Sequence, residues 1–309
     1  MPSIDQPLNG KILLITGGAS GIGLEVTKQA YDLGAKILVA DVQTTAAFDA
    51  FAAGKKSNNH LVYVESDVCH WAAFDKLFAA CEAKWGDVPD AYALCAGVFD
   101  PPFSNFWHDP EQDEGYRQVD VNVNHPIKLT RMAIRKSLQK GKRSSVCIIQ
   151  QSSVAGLSGN IAAPLYCATK HAIVGFVKSM KDTEPLTGVK ITTLCPAAVM
   201  TPLFDAQKQK QFFSHDHDHD HDHAGFFFLK PHVVAAQLLD LLQNKERPCG
   251  TVLEMTLQRT RVIPEWNVAP PEGQGTGQEC IMDDDVLGNL LEPIKAALRR
   301  DQQQSTAKL

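Results

Sequence analysis

Three side chains, Ser153, Tyr166 and Lys170, are of the types that can exchange a proton with a carbonyl or alcohol oxygen. They lie between an apolar run at 145–149 and a helical pattern at 166–180. On a helix, residues four apart lie on one face, so we expect Lys170 beside Tyr166. An ammonium there would lower the tyrosine pKa from its usual value of about 10. A phenol with a lowered pKa can serve as acid or base near neutral pH.

Ser153 is predicted at the end of the strand, where a loop can aim its hydroxyl at the same substrate oxygen. A tyrosine and a lysine at helical spacing are, however, also common on ordinary solvated helix faces. The elements that surround these three side chains decide between the two interpretations.

A glycine-rich turn lies between the first apolar run, 11–15, and the first helical pattern, which Gly34 ends. Positions 16–23 are Thr-Gly-Gly-Ala-Ser-Gly-Ile-Gly. Glycines let the backbone approach a pyrophosphate, and the following helix N-terminus presents free N–H groups and a partial positive charge. A plain tight turn is the alternative, but the order of strand, glycine turn and helix favours a dinucleotide-phosphate site.

Asp41 ends the second predicted strand, 36–40. A carboxylate at this point can accept hydrogen bonds from the ribose diol of adenosine, and it would repel a 2′-phosphate. Ser20 is uncharged where a phosphate-binding base could lie, and no lysine or arginine follows Asp41 closely. These features favour NAD over NADP, although an aspartate at a strand end can also be an ordinary turn residue.

Strands and helices alternate along the whole chain, which predicts an α/β fold with a Rossmann-type, doubly wound parallel sheet in a single domain. The chain has 309 residues, 44% of them hydrophobic, which is ample for a buried core. The remaining predicted strands lie at 61–65, 91–95, 145–149, 189–194 and 251–255, with helices at 70–85, 114–139 and 231–244.

Composition and charge exclude several classes of function. The formal net charge is −5 and basic residues do not cluster, so no nucleic-acid partner is predicted. No apolar run reaches the roughly 18 residues of a membrane span, and the first eleven residues lack the pattern of a secretory signal. The eight cysteines include no Cys-x-x-Cys pair, which indicates buried thiols in a reducing compartment.

The motifs and their order resemble the short-chain dehydrogenase/reductase family, in particular its NAD-preferring alcohol dehydrogenases, over residues 8–262. The glycine turn at 16–23 matches the family's Thr-Gly-x-x-x-Gly-x-Gly, and Asp41 matches the acidic residue of the NAD-preferring members. Ser153, Tyr166 and Lys170 match the catalytic set in order and spacing.

The resemblance also implies roles for residues that no spacing argument identifies. Asn122, in Asp-Val-Asn, would brace Lys170 through a water, and the segment 195–201 would pack on the nicotinamide. The pair Asp67-Val68 would border the adenine. The cofactor-binding residues that it implies are Thr16, Gly17, Ser20, Gly21, Ile22, Gly23, Asp41, Asp67, Val68, Ala96, Gly97, Tyr166, Lys170, Pro196, Val199 and Thr201.

The implied activity is NAD(H)-dependent interconversion of a secondary alcohol and a ketone, with Tyr166 as general acid/base, Lys170 lowering its pKa and Ser153 hydrogen-bonding the substrate oxygen. Two positions depart from the family pattern: Cys95 replaces an asparagine and Ala197 replaces a glycine. Neither change removes a proton-transfer group, so activity is expected. The alternatives are a non-catalytic dinucleotide-binding regulatory protein, and a family member recruited for isomerisation or dehydration in a biosynthetic pathway.

In the family, the segment after Thr201 determines substrate selectivity, and here it is rich in phenylalanine. The aromatic side chains favour a small-molecule substrate that is apolar, lipid-like or polyketide-like. They could equally serve to seat this loop on the core. The phenylalanines are Phe204, Phe212, Phe213, Phe226, Phe227 and Phe228.

The chain is predicted to divide into a family domain at 1–262, with a substrate loop at about 202–230, and a C-terminal extension at 263–309 with a short helix at 286–300. The extension could cover the substrate cleft, contact another subunit or pack on its own subunit. Within the loop, residues 215–223 alternate His and Asp. Such a run can bind Zn, Ni or Cu, but a solvated insertion is favoured, so no metal site is predicted.

The last three residues, Ala307-Lys308-Leu309, resemble the peroxisomal signal Ser-Lys-Leu. The predicted location is therefore peroxisomal or cytoplasmic. Family members usually assemble through the helices that contain Asn122 and Tyr166, so the resemblance implies a homodimer or homotetramer.

Overall fold

The computed structural model describes residues 7–55, 59–101, 104–109, 115–142, 146–204, 228–264 and 284–306. In the last helix, side chains are described from Glu292 to Gln304. Three sequence features lie outside the described residues: the His/Asp repeat at 215–223, the phenylalanines at 212, 213, 226 and 227, and the C-terminal tripeptide.

One mixed sheet of eight strands forms the centre of the described structure, in the order β3-β2-β1-β4-β5-β6-β7-β8. Neighbours from β3 through β7 are parallel, and β8 pairs antiparallel with β7. The predicted Rossmann-type sheet and single domain are confirmed, whereas β8 was not predicted because it is short and exposed. The strands are β1 (Ile12–Thr16), β2 (Lys36–Asp41), β3 (Leu61–Glu65), β4 (Ala91–Leu94), β5 (Val146–Gln151), β6 (Val189–Pro196), β7 (Val252–Met255) and β8 (Thr260–Val262).

Helices cover both faces of the sheet, and several of them differ from prediction. The single helix predicted at 114–139 is divided by a π-helical turn, Asp120–Asn124, a feature that is frequent at functional sites. The short helices α2 and α7 were not predicted. The helices are α1 (Gly21–Asp32), α2 (Ala46–Ala53), α3 (Ala72–Trp85), α4 (Arg117–Val119), α5 (His125–Gln139), α6 (Pro164–Ser179), α7 (Thr183–Thr187), α8 (Pro231–Gln243) and α9 (Asp284–Thr306).

The central strands are almost continuously apolar and are buried on both faces of the sheet, whereas the edge strands β3 and β8 are partly or fully exposed. In β1, Leu14 packs in the layer that contains Phe74 of α3. Its neighbour Leu13 packs in the opposite layer with Val26 of α1 and Leu238 of α8. Two packed layers hold the strands rigidly, so the loops at their carboxyl ends have defined positions along one edge of the sheet.

The C-terminal helix α9 packs on α5 of the same chain. Asp301 is 5% exposed and accepts hydrogen bonds from Arg131 Nη2 at 2.6 Å and from Arg135 Nε at 3.1 Å. Leu298 contacts the core layer behind α5. Of the three places considered for the extension, the described part of α9 therefore occupies its own subunit.

Within the described ranges, no helix is both long enough and apolar enough to cross a membrane.

Acidification is expected to destabilise the fold through His125, the first residue of α5. Its imidazole is buried; Nδ1 contacts the carbonyl of Val121 at 3.1 Å, and Nε2 has no hydrogen-bond partner within the described structure. Burial lowers the pKa of His125 from 6.5 to about 4. The unfolded chain therefore binds a proton here at a higher pH than the folded protein, so stability is lost as the pH falls from 6.5 towards about 4.

Urea unfolding at a series of pH values would measure this loss, which should approach roughly 1.4 kcal/mol per pH unit within the window. His125→Gln should flatten the dependence by removing the titrating group. The exposed His108 offers a matched control, and His108→Gln should leave the dependence as it is in the parent protein. Identical pH dependence in the parent and in His125→Gln would contradict the assignment.

Candidate active site

The turn between β1 and α1 brings the backbone very close to neighbouring segments. Gly17 has a φ of +67°, and a Cβ there would lie 2.7 Å from the backbone of Ala96. A Cβ on Gly23 would lie 2.1 Å from the carbonyl oxygen of Gly17. Gly21 also has a positive φ, +50°. The turn therefore requires glycine, and it leaves the amino end of α1 open to the cleft.

Asp41, at the end of β2, anchors this turn. One carboxylate oxygen, Oδ2, accepts a hydrogen bond from the backbone N–H of Ala19 at 3.0 Å. The other, Oδ1, accepts one from Val42 N at 2.8 Å. Burial raises the pKa of Asp41, and these backbone N–H groups partly offset that rise. The carboxylate thus lies beside the glycine turn and lines the same cleft.

Asp67, after β3, forms an ion pair that the sequence did not predict. Its Oδ2 lies 2.6 Å from Nη2 of Arg117, the first residue of α4. Burial acts to raise the pKa of Asp67, but the backbone N–H of Cys69 and the Arg117 guanidinium outweigh it, so the pKa is lowered. Arg117 therefore joins the cleft wall, although no sequence pattern singles it out within the helix predicted at 114–139.

The cleft at the carboxyl edge of the sheet is a cavity of about 330 Å³. It has the elongated set of contacts expected for a dinucleotide: the open amino end of α1, the acidic end of β2 and the ends of β3 and β4. Thirteen of the sixteen predicted cofactor-binding residues line it: Gly17, Ser20, Gly21, Ile22, Gly23, Asp41, Asp67, Val68, Ala96, Gly97, Tyr166, Lys170 and Thr201.

The other three predicted cofactor-binding residues lie elsewhere. Thr16 is fully buried at the end of β1, with its Oγ1 3.5 Å from the backbone N–H of Ala96. Pro196 and Val199 line a second cavity, next to the first. The structure thus assigns Thr16 a supporting place behind the turn and the other two residues a place on the far side of the cleft.

Tyr166, Lys170 and Ser153 come together as the sequence spacing predicts. Lys170 Nζ lies 5.4 Å from the centroid of the Tyr166 ring and donates a hydrogen bond to the carbonyl of Gln151 at 3.0 Å. The Ser153 side chain lies close enough to Tyr166 to lower its pKa, and its Oγ is 3.5 Å from the carbonyl oxygen of Pro196. Ser153 is held at the end of β5 because its Oγ also accepts a hydrogen bond from the N–H of Ala155 at 3.2 Å.

The second cavity, of about 290 Å³, begins at these hydroxyl groups. Tyr166 lines both cavities, and Ser153 lines the second one. The phenol therefore lies where a ligand in the first cavity and a ligand in the second would meet. No sequence pattern indicated several of the other lining residues, which include Phe99, Asn160, Ala163 and Cys167.

Asn122 lies in the π-helical turn and lines neither cavity. Its Oδ1 accepts a hydrogen bond from Val98 N at 2.9 Å, and its Nδ2 donates to Val98 O at 2.9 Å and to Thr169 Oγ1 at 3.2 Å. The side chain therefore fixes the segment after β4 and the helix that contains Lys170. The role in a water relay stays a prediction.

Comparison with known proteins agrees with this geometry. The family model for short chain dehydrogenases matches residues 11–211. This range includes the glycine turn and the residues Ser153, Tyr166 and Lys170. The chain belongs to the short-chain dehydrogenase family.

Relatives and solved structures give the same assignment. Short-chain dehydrogenase/reductase prx4 of Penicillium roqueforti is 31% identical over 63% of this chain. The matched region covers 56% of the length of that relative. The 15-hydroxyprostaglandin dehydrogenase [NAD(+)] of Rattus norvegicus is 26% identical over 85% of this chain and 97% of the relative. The NADH complex of a 3-ketoacyl-(acyl-carrier-protein) reductase from Brucella melitensis superposes with a TM-score of 0.63, at 25% identity, over 80% of this chain and 97% of that one.

The short-chain dehydrogenase site shows one electrostatic difference from expectation. Burial raises the pKa of Tyr166 to about 12, and the hydrogen bond from Ser153 only partly offsets this. Burial also lowers the pKa of Lys170 to about 8. The prediction that the Tyr166 pKa is lowered is wrong: the phenol is only partly exposed, and the cost of removing the phenolate from water outweighs the groups that favour it.

The two departures from the short-chain dehydrogenase pattern are accommodated without loss of the site. Burial raises the pKa of the Cys95 thiol to about 12, so it is a neutral group behind the turn. Ala197 lines the second cavity, and its N–H donates a hydrogen bond to the carbonyl of Met255 at 2.8 Å. Neither residue obstructs the contact between Tyr166, Ser153 and Lys170.

Proposed function

We propose that this oxidoreductase is NAD(H)-dependent and interconverts a secondary alcohol and a ketone on an apolar substrate. The observation that supports this best is the position of Tyr166, whose side chain lines the cofactor cavity and the adjacent cavity together. An acid/base group at that junction can reach a substrate oxygen while the reacting carbon faces a nicotinamide.

The residues of the first cavity fit a dinucleotide. At Gly17 and Gly23, neighbouring backbone atoms lie too close for a side chain. Without side chains in the turn, a pyrophosphate can lie against the amino end of α1. Asp41 can accept hydrogen bonds from a ribose diol. When bound, the nicotinamide supplies the hydride acceptor or donor. Lys170, buried beneath the cleft, is placed to hydrogen-bond the adjoining ribose.

The proton chemistry belongs to Tyr166, Ser153 and Lys170. In reduction, the neutral phenol of Tyr166 donates its proton to the oxygen that forms the alcohol, and its raised pKa keeps it protonated near neutral pH. In oxidation, the same oxygen of Tyr166 takes the alcohol proton. Ser153 donates a hydrogen bond to the substrate oxygen and stabilises its developing charge. Lys170 stabilises the phenolate when that form is present.

The preference for NAD rests on Asp41. Its carboxylate is fixed by two backbone N–H groups and lies in the cavity wall, where it would repel a 2′-phosphate. In agreement, one relative is an NAD(+)-dependent prostaglandin dehydrogenase and one structural neighbour was solved with NADH.

The proposal of an apolar substrate is based on the residues that line the second cavity. Its described walls contain alanine, valine, leucine, proline and phenylalanine, together with a few neutral polar side chains near Tyr166. None of the lining residues within the described ranges is charged. A charged substrate group would therefore be desolvated there without an ionic partner.

Fluorescence titration with NADH and with NADPH, followed by turnover of a panel of apolar secondary alcohols with NAD, would test the proposal. We expect tighter binding of NADH than of NADPH and turnover of at least part of the panel. Binding of NADH without turnover of any alcohol, and without reduction of the matching ketones, would argue for the non-catalytic alternative. Preference for NADPH would show that Asp41 does not exclude a 2′-phosphate.

A further inference from the structure

Phe99 connects the reacting phenol to the wall of the substrate cavity. Its ring meets the Tyr166 ring edge to face, with the centroids 4.6 Å apart. On its other side it stacks on Phe204, with centroids 5.5 Å apart and planes inclined by 12°. All three residues line the second cavity. A single side chain therefore sets the relative positions of the acid/base group and an aromatic wall.

The backbone on both sides of Phe99 is fixed by side chains from the α4 helix and the π-helical turn. Asn122 hydrogen-bonds both the N–H and the carbonyl of Val98. The fully buried Gln118 accepts a hydrogen bond from the N–H of Asp100 at 2.6 Å and donates one to Asp100 Oδ1 at 3.1 Å.

The hydrogen bonds from Asn122 and Gln118 form a clamp around Phe99, and within this clamp Asp100 has a strained backbone conformation. Its φ of +33° is the only positive value among the non-glycine residues described, and such a conformation persists only where the surroundings impose it. The N–H of Gln118 is itself hydrogen-bonded to Ser104 Oγ at 3.0 Å, so the clamp is anchored on a second loop. The arrangement holds Phe99 in one orientation against Tyr166.

We propose that Phe99 is a specificity-determining residue that selects uncharged substrates with a ring adjoining the reacting carbonyl or carbinol carbon. Gln118 acts as its positioning residue. This inference rests on the proposed function and adds the shape of the substrate to it. Aromatic rings attract a second ring in offset-stacked or edge-to-face geometry beyond the simple burial of area. A flexible linear chain gains less from a flat wall and loses more conformational freedom when it binds.

Two neutral ten-carbon ketones, α-tetralone and 2-decanone, separate ring shape from size and charge. With NADH, the parent enzyme should reduce α-tetralone with the higher kcat/KM. Phe99→Leu should lower the ratio of the two kcat/KM values about ten-fold, because the aromatic contact is lost. Phe99→Tyr keeps the ring and should show the same ratio as the parent enzyme. Gln118→Met, which removes both bonds to Asp100, should shift the ratio in the same direction by less.

Phe78→Leu is the matched control, since Phe78 is fully buried beside Tyr92 and lines neither cavity. It should lower thermal stability and leave the ratio unchanged. Titration with NADH verifies that each variant is folded. If the parent reduces both ketones equally well, or if Phe99→Leu leaves the ratio intact, the inference is overturned while the proposed function stands. Reduction of neither ketone by the parent would overturn the inference, and turnover of the alcohol panel would then decide separately whether the proposed function stands.

Discussion

Replacement of Tyr166 by phenylalanine is expected to lower turnover by about a thousand-fold, within the range that a positioned acid/base group contributes. The change deletes one hydroxyl and keeps the ring, so the contact with Phe99 at 4.6 Å is retained. The Kd for NADH should change little, because the glycine turn and Asp41 are untouched. Stopped-flow or steady-state turnover, together with NADH titration, measures the two quantities separately.

Tyr92→Phe is the matched control for this change. Tyr92 is fully buried, and its hydroxyl has no hydrogen-bond partner within the described structure. Loss of that hydroxyl should leave turnover as it is in the parent protein. If Tyr166→Phe retains substantial turnover, the phenol is not the acid/base group and the proposed function fails.

The proposed role of Tyr166 also predicts how turnover by the parent protein depends on pH. Oxidation needs the deprotonated phenol, and burial raises the pKa of Tyr166 to about 12. The rate of alcohol oxidation should therefore rise with pH through the neutral and alkaline range. Reduction needs the protonated phenol and should not rise with pH over the same range. A rate of oxidation that falls with increasing pH would contradict this assignment.

Replacement of Asp41 is expected to weaken NADH binding by about ten- to a hundred-fold, the worth of hydrogen bonds to a charged group. Two variants separate its two tasks. Asp41→Asn can still accept the hydrogen bond from Ala19 N, so it reports the loss of charge towards the ribose. Asp41→Ala also removes that anchor from the glycine turn and should bind still more weakly.

In both variants, the ratio of the NADPH and NADH dissociation constants should move towards unity, since the repulsion of a 2′-phosphate is gone. Asp49→Asn is the control, because Asp49 is an exposed acid on the neighbouring helix α2 that contacts Thr44. The Asp49→Asn variant removes the same charge at a position that does not anchor the glycine turn. An unchanged cofactor ratio in Asp41→Asn would exclude Asp41 as the discriminating residue.

Much of the fold was predictable from local features. The strands of the parallel sheet are short apolar runs, and Gly17 and Gly23 mark a turn that no other residue type can form. Helix α5 illustrates the limit: its apolar periodicity extends through Asp120–Asn124, but the structure has a π-helical turn there. Periodicity does not report that Asn122 bonds to Val98, a residue on a different segment.

The residues of the candidate site also fall into two groups, those that the sequence predicts and those that only the structure reveals. Order and spacing identified Ser153, Tyr166 and Lys170, because residues four apart on a helix share a face and strand ends meet at one edge of the sheet. They could not identify Arg117 or Phe99, which reach the site from the loop and helix start between β4 and α5.

The sequence by itself thus determined the sheet, the glycine turn and the identity of the candidate acid/base groups, since each depends on neighbours along the chain. Tertiary structure decided the electrostatic state of those groups. Spacing predicted a lowered pKa for Tyr166, whereas burial raises it to about 12 and lowers that of Lys170 to about 8. Desolvation depends on every segment that excludes water from a side chain, and that property exists only when the chain has folded.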